Sequence, residues 1–340
     1  MSEPDTQAPD EVEVPPRRPW YRARWVRGLS WVATAGVLFY TAVRVFGFET
    51  GWVLVTTVAF VPYFAIAALL GAGLQAAVRH WVAAITTGVA VAALAVVLVP
   101  RLAANEQPSA DGPELTVMSV NLYVGQTDLE KVVGMVEEHR PDLLSVQELT
   151  PGAAEGLREL GLEALLPHTV LEPEELAVGT GLYSAHPIEV IDSVGRNGIF
   201  YQIGVEVDLG GESVRFMAVH TAAPASPERI PLWEQDFEEL PRPDGGVPWI
   251  LAGDFNATLD HRNLRELLDA GYVDAAEQTG DGLRPTWRPT EGGYLRGLLK
   301  PPAVTLDHVL AESGIAVLDW QVLDKTGSDH APILARLRLP

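Results

Sequence analysis

The chain has 340 residues, with 24 Lys+Arg against 45 Asp+Glu and no cysteine. The missing thiols exclude disulfides, thiolate metal sites and a cysteine nucleophile. Only eight of the basic and six of the acidic residues precede residue 105, so the remainder holds 16 basic and 39 acidic residues, a net charge of −23 that disfavours tight binding to a polyphosphate backbone.

Residues 1–28 form a tail. Its first sixteen residues are acidic, contain proline and lack any apolar period, as in disordered segments. Arg17, Arg18, Arg22, Arg24 and Arg27 then alternate with Trp20, Tyr21 and Trp25, the composition of a membrane flank. Three apolar segments follow within residues 29–102: Leu29–Phe48, Trp52–Val78 and Trp81–Pro100. Each is near or above the roughly 20 residues that cross a hydrocarbon core, and the last two carry no charge. Arg44, late in the first, is expected to snorkel to the headgroups. The arginine-rich start predicts a cytoplasmic N-terminus, and three crossings place everything after Arg101 outside the cytoplasm of a bacterial cell. Residues 103–114 read as a flexible linker.

Residues 115–340 alternate short strands with helices. Strands are expected at Leu115–Leu122 and Asp142–Val146, with an amphipathic helix at Leu129–Glu138 between them. Thr150-Pro151 opens another helix. Gly181–Ser184 is a strand. Phe200–Asp208 and Ser213–Val219 form a hairpin around Gly210-Gly211. Pro227–Leu240 is an amphipathic helix. The segment from Trp249 to Asp260 reads WILAGDFNATLD: a buried strand whose end presents Asp254 and Asn256 to one side. A helix at Asn263–Leu268 and strands at Val304–Leu310 and Pro332–Leu339 complete the series.

Polar residues gather where these strands end: Asn121, Glu148, His220, Asp254, Asn256, Asp307 and the triplet Ser328-Asp329-His330. Side chains from many strands meeting at one sheet edge are a recurrent enzyme layout. No HExxH pair and no G-x-S-x-G follows a strand, so zincin and serine-hydrolase chemistry are disfavoured. The mixture suits a hard cation held by oxygens, with histidines as phosphate donors or acid–base groups. Asp260, His261 and His308 adjoin these motifs but are read as non-catalytic. Trp287 is read as a pocket wall, and His139, His168 and His186 as surface or loop residues.

In order, MSVNLY at 118–123, VQE at 146–148, GLYSAHPI at 181–188, VHTAAP at 219–224, GDFN at 253–256, PTW at 285–287, LDHVL at 306–310 and GSDHAPI at 327–333 resemble the motifs of the endonuclease/exonuclease/phosphatase superfamily. The resemblance implies an α/β fold, a four-layer sandwich of two face-to-face β-sheets flanked by helices, here preceded by three transmembrane helices. It implies Mg²⁺-dependent cleavage of a phosphate ester or anhydride, with Mn²⁺ as a substitute. Glu148 would be the main metal ligand, with Asn121 and Asp329 as further contacts. Asp254 would orient and deprotonate water, Asn256 and His220 would bind phosphoryl oxygens, and Asp307 would hold His330. Two departures, Thr305 where many members have a basic residue and Thr180 where nuclease-like members have Glu nearby, weaken a nuclease reading. The basic segment Arg284, Arg288, Arg296 and Lys300 offers Arg284 and Arg288 as substrate contacts. The membrane-anchored layout resembles actinobacterial transmembrane phosphatases associated with teicoplanin-type glycopeptide resistance, which implies a lipid-linked substrate such as a polyprenyl pyrophosphate and no stable nucleic-acid partner. The competing readings are a surface nuclease, a phosphodiesterase for phospholipid or sphingolipid headgroups, and a non-catalytic interaction module.

Overall fold

A computed structural model describes residues 21, 23–192, 198, 200–289 and 301–340. The acidic start of the tail, Arg17, Arg18, Arg22, Arg296 and Lys300 lie outside the described residues.

Four apolar helices come first: α1 (Arg24–Phe46), α2 (Gly51–Val58), α3 (Val61–Ala77) and α4 (Trp81–Leu98). Helix α1 starts five residues before the expected boundary at Leu29, so Arg24 and Arg27 belong to its first turns. The second apolar segment is not one helix. It breaks at Ala59-Phe60, where α2 and α3 meet at 83°. Pro62 is the cause at hand: it cannot donate to the preceding turn, but it suits the first turn of a new helix, and Phe60 caps α3. Helices α1 and α4 are each long and apolar enough to cross a membrane, and the bent pair would supply a third crossing. Val32, Ile66, Leu70, Leu74 and Val96 all lie exposed on them, an apolar belt far larger than soluble surfaces carry.

Polar contacts set the helix directions. His80 Nε2, just before α4, lies 3.1 Å from the Tyr21 carbonyl just before α1. Midway, the Thr34 and Thr87 hydroxyls are 3.1 Å apart. Near the end of α3, Gln75 Nε2 donates to Thr34 Oγ1 at 3.0 Å. Helices α1 and α4 therefore run parallel, and α3 runs opposite to both, with α4 packed against each of the others.

The remainder holds two six-stranded sheets. One contains β1 (Glu114–Asn121), β2 (Leu143–Gln147), β3 (His168–Glu172), β4 (Thr180–Ser184), β11 (Ala316–Val322) and β12 (Ile333–Arg338), in the order β11-β12-β1-β2-β4-β3. The other contains β5 (Ile188–Val190), β6 (Ile203–Asp208), β7 (Ser213–His220), β8 (Trp249–Asp254), β9 (Tyr272–Asp274) and β10 (Asp307–Glu312), in the order β5-β6-β7-β8-β10-β9. Each sheet has one parallel pair at its centre, β1 with β2 and β7 with β8, among antiparallel neighbours. Helices α5 (Leu129–His139), α6 (Pro151–Glu159) and α7 (Leu162–Leu165) cover the first sheet; α8 (Ile230–Glu238) and α9 (Arg262–Asp269) cover the second. The expected four layers are present.

Period-two alternation decides which residues meet between the sheets. Leu115 and Val117 of β1, Val214, Phe216 and Ala218 of β7, Ile250 and Ala252 of β8, and Val309 and Ala311 of β10 all belong to the core between the sheets. Met118, Val120, Met217, Leu251 and Leu310 face the outer helices instead. Continuing the inner rows by two residues reaches His220 and Asp254, continuing that of β1 by four, through the buried Ser119, reaches Asn121, and stepping back two from Val309 reaches Asp307. The same count puts His308 on the outer face, where its Nδ1 lies 2.7 Å from Asp274 Oδ2.

Several expectations are corrected. Strands β3, β5, β9 and β11 were not foreseen; all are short, at an edge or interrupted, and β11 is bulged between Val317 and Asp319. His168 lies in β3 rather than in a loop. The 103–114 segment is pinned rather than free: Asn105 N donates to Gln278 O, Val317 N to Gln107 Oε1 and Gly112 N to Leu339 O, at 2.9, 2.8 and 3.1 Å. Arg44 does not reach for headgroups. It is buried, and its Nε meets Asp260 Oδ1 at 2.5 Å.

Candidate active site

The ends of the two central parallel pairs converge. Register sets His220 beside Asp254 across β7 and β8, and Asp307 beside Asp254 across β10 and β8. In the facing sheet Asn121 pairs with Gln147, one residue before Glu148. Strict alternation would turn Glu148 outward, but its φ of +57° breaks the alternation and swings the carboxylate inward. Val124 and Asn256, at φ +54° and +46°, share this left-handed conformation, which is costly for non-glycine residues and typical of functional loops. Gly253 is required for close approach: a Cβ there would lie 1.8 Å from the Val219 carbonyl oxygen. That packing lets β8 deliver Asp254 tightly against β7.

Asn121 ties the sheets together. Its Nδ2 donates to Glu148 Oε1 at 3.2 Å and to Asp254 Oδ2 at 3.3 Å. Val124 N donates to Glu148 Oε2 at 2.6 Å, and Asn256 N to Asp254 Oδ1 at 2.9 Å. Asn256 Nδ2 donates to the Thr221 carbonyl at 2.9 Å, which fixes the amide while leaving its second proton for a ligand. His330 Nδ1 lies 2.9 Å from Asp307 Oδ2, and its Nε2 lies 3.5 Å from Asp254 Oδ2. Thr286 Oγ1 accepts from Leu306 N and Asp307 N, fixing the start of β10. Trp287 Nε1 donates to Asp329 Oδ2 at 2.9 Å, so this tryptophan is the expected wall and also aims a carboxylate. Glu148, His220, Asp254, Asn256, Asp329 and His330 line one cleft of about 370 Å³.

Burial makes the electrostatics unusual. It pushes Asp254 up to about 7, against the opposing pull of His330 and with help from Asp307. Burial also raises Glu148, partly offset by the Asn121 hydrogen bond. For His330 burial acts downward, but Asp307 and Asp254 outweigh it and hold the imidazole up at about 10. His220 goes the other way, down to about 3, through burial and then the charge on His330. His220 is thus neutral, packed against Phe200 with ring centroids 4.5 Å apart and tilted by 56°, and its Nδ1 is buried with no partner among the described residues. Four carboxylates (Glu148, Asp254, Asp307, Asp329) face one imidazolium in the cleft, Asp254 and Asp307 fully buried and Glu148 and Asp329 partly so. Such an excess of desolvated negative charge fits a hard divalent cation with oxygen ligands. Ligand atoms of Asp254, Asp307 and His330 lie within 4.8 Å of one another. A protonated His330 is nonetheless a poor ligand, since metal binding requires neutral imidazole. Glu148 and the Asn121 side-chain oxygen, which also accepts from Tyr123 N at 2.9 Å, are oxygen donors that could hold the cation.

A profile of the endonuclease/exonuclease/phosphatase family matches residues 118–330. The chain belongs to this family. It is a metal-dependent phosphoester hydrolase, consistent with the donor set in its cleft. Among solved structures it is similar to an endonuclease/exonuclease/phosphatase family protein from Leptotrichia buccalis, at 16% identity and TM-score 0.50, covering 66% of this chain and 100% of that one. It is also similar to a family protein from Beutenbergia cavernae, at 20% identity and TM-score 0.48, covering 66% of this chain and 72% of that one. A 3′ phosphatase from Neisseria, bound to a product DNA hairpin, matches at 19% identity and TM-score 0.48, covering 65% of this chain and 98% of that one. The first of these likenesses speaks to the fold. No curated protein matches the chain.

The basic cluster is where the geometry departs from expectation. Arg284 is exposed, its Nη1 3.9 Å from Asp281, and Arg288 is exposed with its backbone N bonded to the Asp329 carbonyl. Neither lines the cleft. Among the described residues, the arginine that does is Arg229, on a turn just before α8. Its sequence context, SPERIP, carries no signal beyond a helix start.

Proposed function

We propose that the chain is a membrane-anchored, Mg²⁺-dependent phosphohydrolase. Its active site faces the extracytoplasmic side, and its substrate is a lipid-linked phosphate or pyrophosphate, such as a polyprenyl pyrophosphate of cell-wall synthesis. One observation carries the reading: the apolar helices dock on the hydrolase domain beside its active-site cleft, which Thr56, Ala59 and Phe60 help to line. Arg44 from the end of α1 and Arg101 from just beyond α4 both pair with Asp260, at 2.5 and 3.0 Å. Tyr63, in the first turn of α3, donates to the Ala303 carbonyl at 2.7 Å. A cleft held against membrane helices meets a bilayer-borne phosphate at high effective concentration.

The helix directions support the orientation. Parallel α1 and α4, with α3 antiparallel to both, would make three crossings if the bent pair spans once, which separates the N-terminus from the hydrolase domain. Arg24, Arg27 and Arg79 gather at the end remote from that domain, lining one cavity together. Basic residues at that end favour a cytoplasmic location for it. The net charge of −23 after residue 104 speaks against the nuclease alternative.

Glu148 and Asn121 would hold the cation, with Asp329 facing the same cleft; when bound, it neutralises phosphate charge. Asp254, poised near neutrality, takes the proton from the attacking water. His330, kept protonated and oriented by Asp307, donates to the phosphoryl group. Asn256 and neutral His220 supply further donors where negative charge builds up. Arg229 is free to meet a second phosphate.

The test is a phosphate-release screen on the detergent-solubilised full chain, with and without Mg²⁺, over a polyprenyl pyrophosphate, sphingomyelin, inositol phosphates and DNA. Mg²⁺-dependent release from the polyprenyl pyrophosphate is expected. Headgroup release or DNA cleavage with no action on that compound would replace this reading.

A further inference from the structure

Resting on the lipid-substrate reading, we propose that the elbow between α2 and α3 is the wall of the active-site cleft that receives the hydrocarbon chain adjoining the substrate phosphate, and that it sets specificity for chain-bearing over chain-free phosphates.

The cleft has two chemically opposite sides. One carries the carboxylates and histidines described above. The other is formed in part by Thr56, Ala59 and Phe60, which come from the apolar segment rather than the hydrolase domain. Ala59 and Phe60 are the residues at which the two helices part at 83°. Thr56 turns its hydroxyl back to the Trp52 carbonyl at 2.8 Å, which leaves its methyl group as contact surface. This wall offers a phosphate no donor and no charge. Apolar surface of this kind gains only by covering hydrocarbon. A chain leaving the phosphate along the elbow would continue onto α3, whose exposed Ile66, Leu69 and Leu70 are suited to acyl chains.

The elbow is fixed to the hydrolase domain, so its position is part of the site. Val55 is buried among Phe255, Leu264 and neighbouring core residues of that domain. His261 Nδ1 accepts from Thr258 N at 2.8 Å, so its Nε2 carries the proton and donates to the Val55 carbonyl at 3.0 Å. His261 is thereby a positioning residue, which accounts for a buried histidine beside the catalytic motif with no role in the chemistry. Glu49, ahead of α2, accepts from Arg262 N. The left-handed turn at Gly47 packs on the Arg262 and Arg265 side chains.

The experiment uses the full chain in nanodiscs and two substrates, a long-chain polyprenyl pyrophosphate and chain-free methyl pyrophosphate. Phe60→Ala is expected to lower kcat/KM for the long-chain compound at least tenfold and to change that for methyl pyrophosphate less than threefold. Phe60→Leu, which keeps the bulk, should retain wild-type discrimination, and an unchanged unfolding midpoint rules out misfolding. Because the chain has no cysteine, Ala59→Cys creates a single thiol. In an Asp254→Asn background that blocks turnover, the long-chain compound should slow maleimide modification of that thiol at least fivefold, and methyl pyrophosphate should not. Equal losses on both substrates, or equal modification rates with either compound, would overturn the elbow's role while wild-type hydrolysis of the polyprenyl compound left the functional reading standing. Failure of the wild-type chain to hydrolyse the polyprenyl compound would remove the functional reading and this inference with it.

Discussion

Asp254→Asn is expected to lower kcat by about 10³–10⁴, near the upper end of what a positioned proton acceptor contributes, with the fold intact. Asp254 receives hydrogen bonds on both oxygens, from Asn256 N on Oδ1 and Asn121 Nδ2 on Oδ2, and His330 Nε2 stands 3.5 Å from Oδ2. An amide there must aim its NH₂ at one of these donors, so the variant loses the base and also misaligns its neighbours. Gly253 and the β7–β8 register are untouched, and the unfolding midpoint should stay within a few degrees. Steady-state phosphate release, with thermal unfolding as the control, reads the effect. A loss smaller than tenfold would remove Asp254 from the proton-transfer role.

Asp260 is the second test, and its expected effect falls on stability. Its carboxylate is 1% exposed and pairs with Arg44 and Arg101, which are each about as deeply buried. Burial alone would raise its pKa, but the two guanidinium groups outweigh that and hold it below the usual carboxylate range. Asp260→Ala leaves two buried arginines without their shared partner. Breaking such a group by removing one member typically costs about 3–5 kcal/mol. For a chain of this size that is a fall of roughly 4–7 °C in the unfolding midpoint. Replacing all three charges together, as Arg44→Met, Arg101→Met and Asp260→Leu, should recover most of the loss, because the fully buried charges are then removed together and only the partly exposed Glu277 loses a partner, one 3.8 Å away. Full stability of the single variant would show that the helices and the hydrolase domain are not joined there.

The contrast between these residues shows what a sequence can and cannot disclose. Asn121, His220, Asp254 and Asp307 were legible because each extends an apolar row that alternates with period two, and a polar residue ending such a row sits at a sheet edge. Their order along the chain, with VQE, GDFN and SDH, then matched one family. Asp260 stands only six residues beyond the strand that carries Asp254, yet its partners lie 216 and 159 residues away, and no local pattern couples residues at such range. Arg44 therefore read as a membrane-flank cation, although it is one arm of the clasp. The break at Ala59-Phe60 did have a signal in Pro62, masked by the uninterrupted apolar composition around it. The inward turn of Glu148 depends on a single left-handed residue, which alternation cannot foresee. Arg229 was missed for a different reason: an exposed arginine on a turn looks the same whether it faces solvent or a cleft.

The central claim is that residues from both sheets surround one divalent cation. Mn²⁺ binding, followed by electron paramagnetic resonance on the detergent-solubilised full chain, tests it without relying on turnover. One tight Mn²⁺ site competed by Mg²⁺, weakened about 10- to 100-fold or more by Glu148→Gln and present in Asp260→Ala, is the result expected. Mn²⁺ binding that is unchanged by Glu148→Gln, or that is absent from the wild-type chain, would contradict the account.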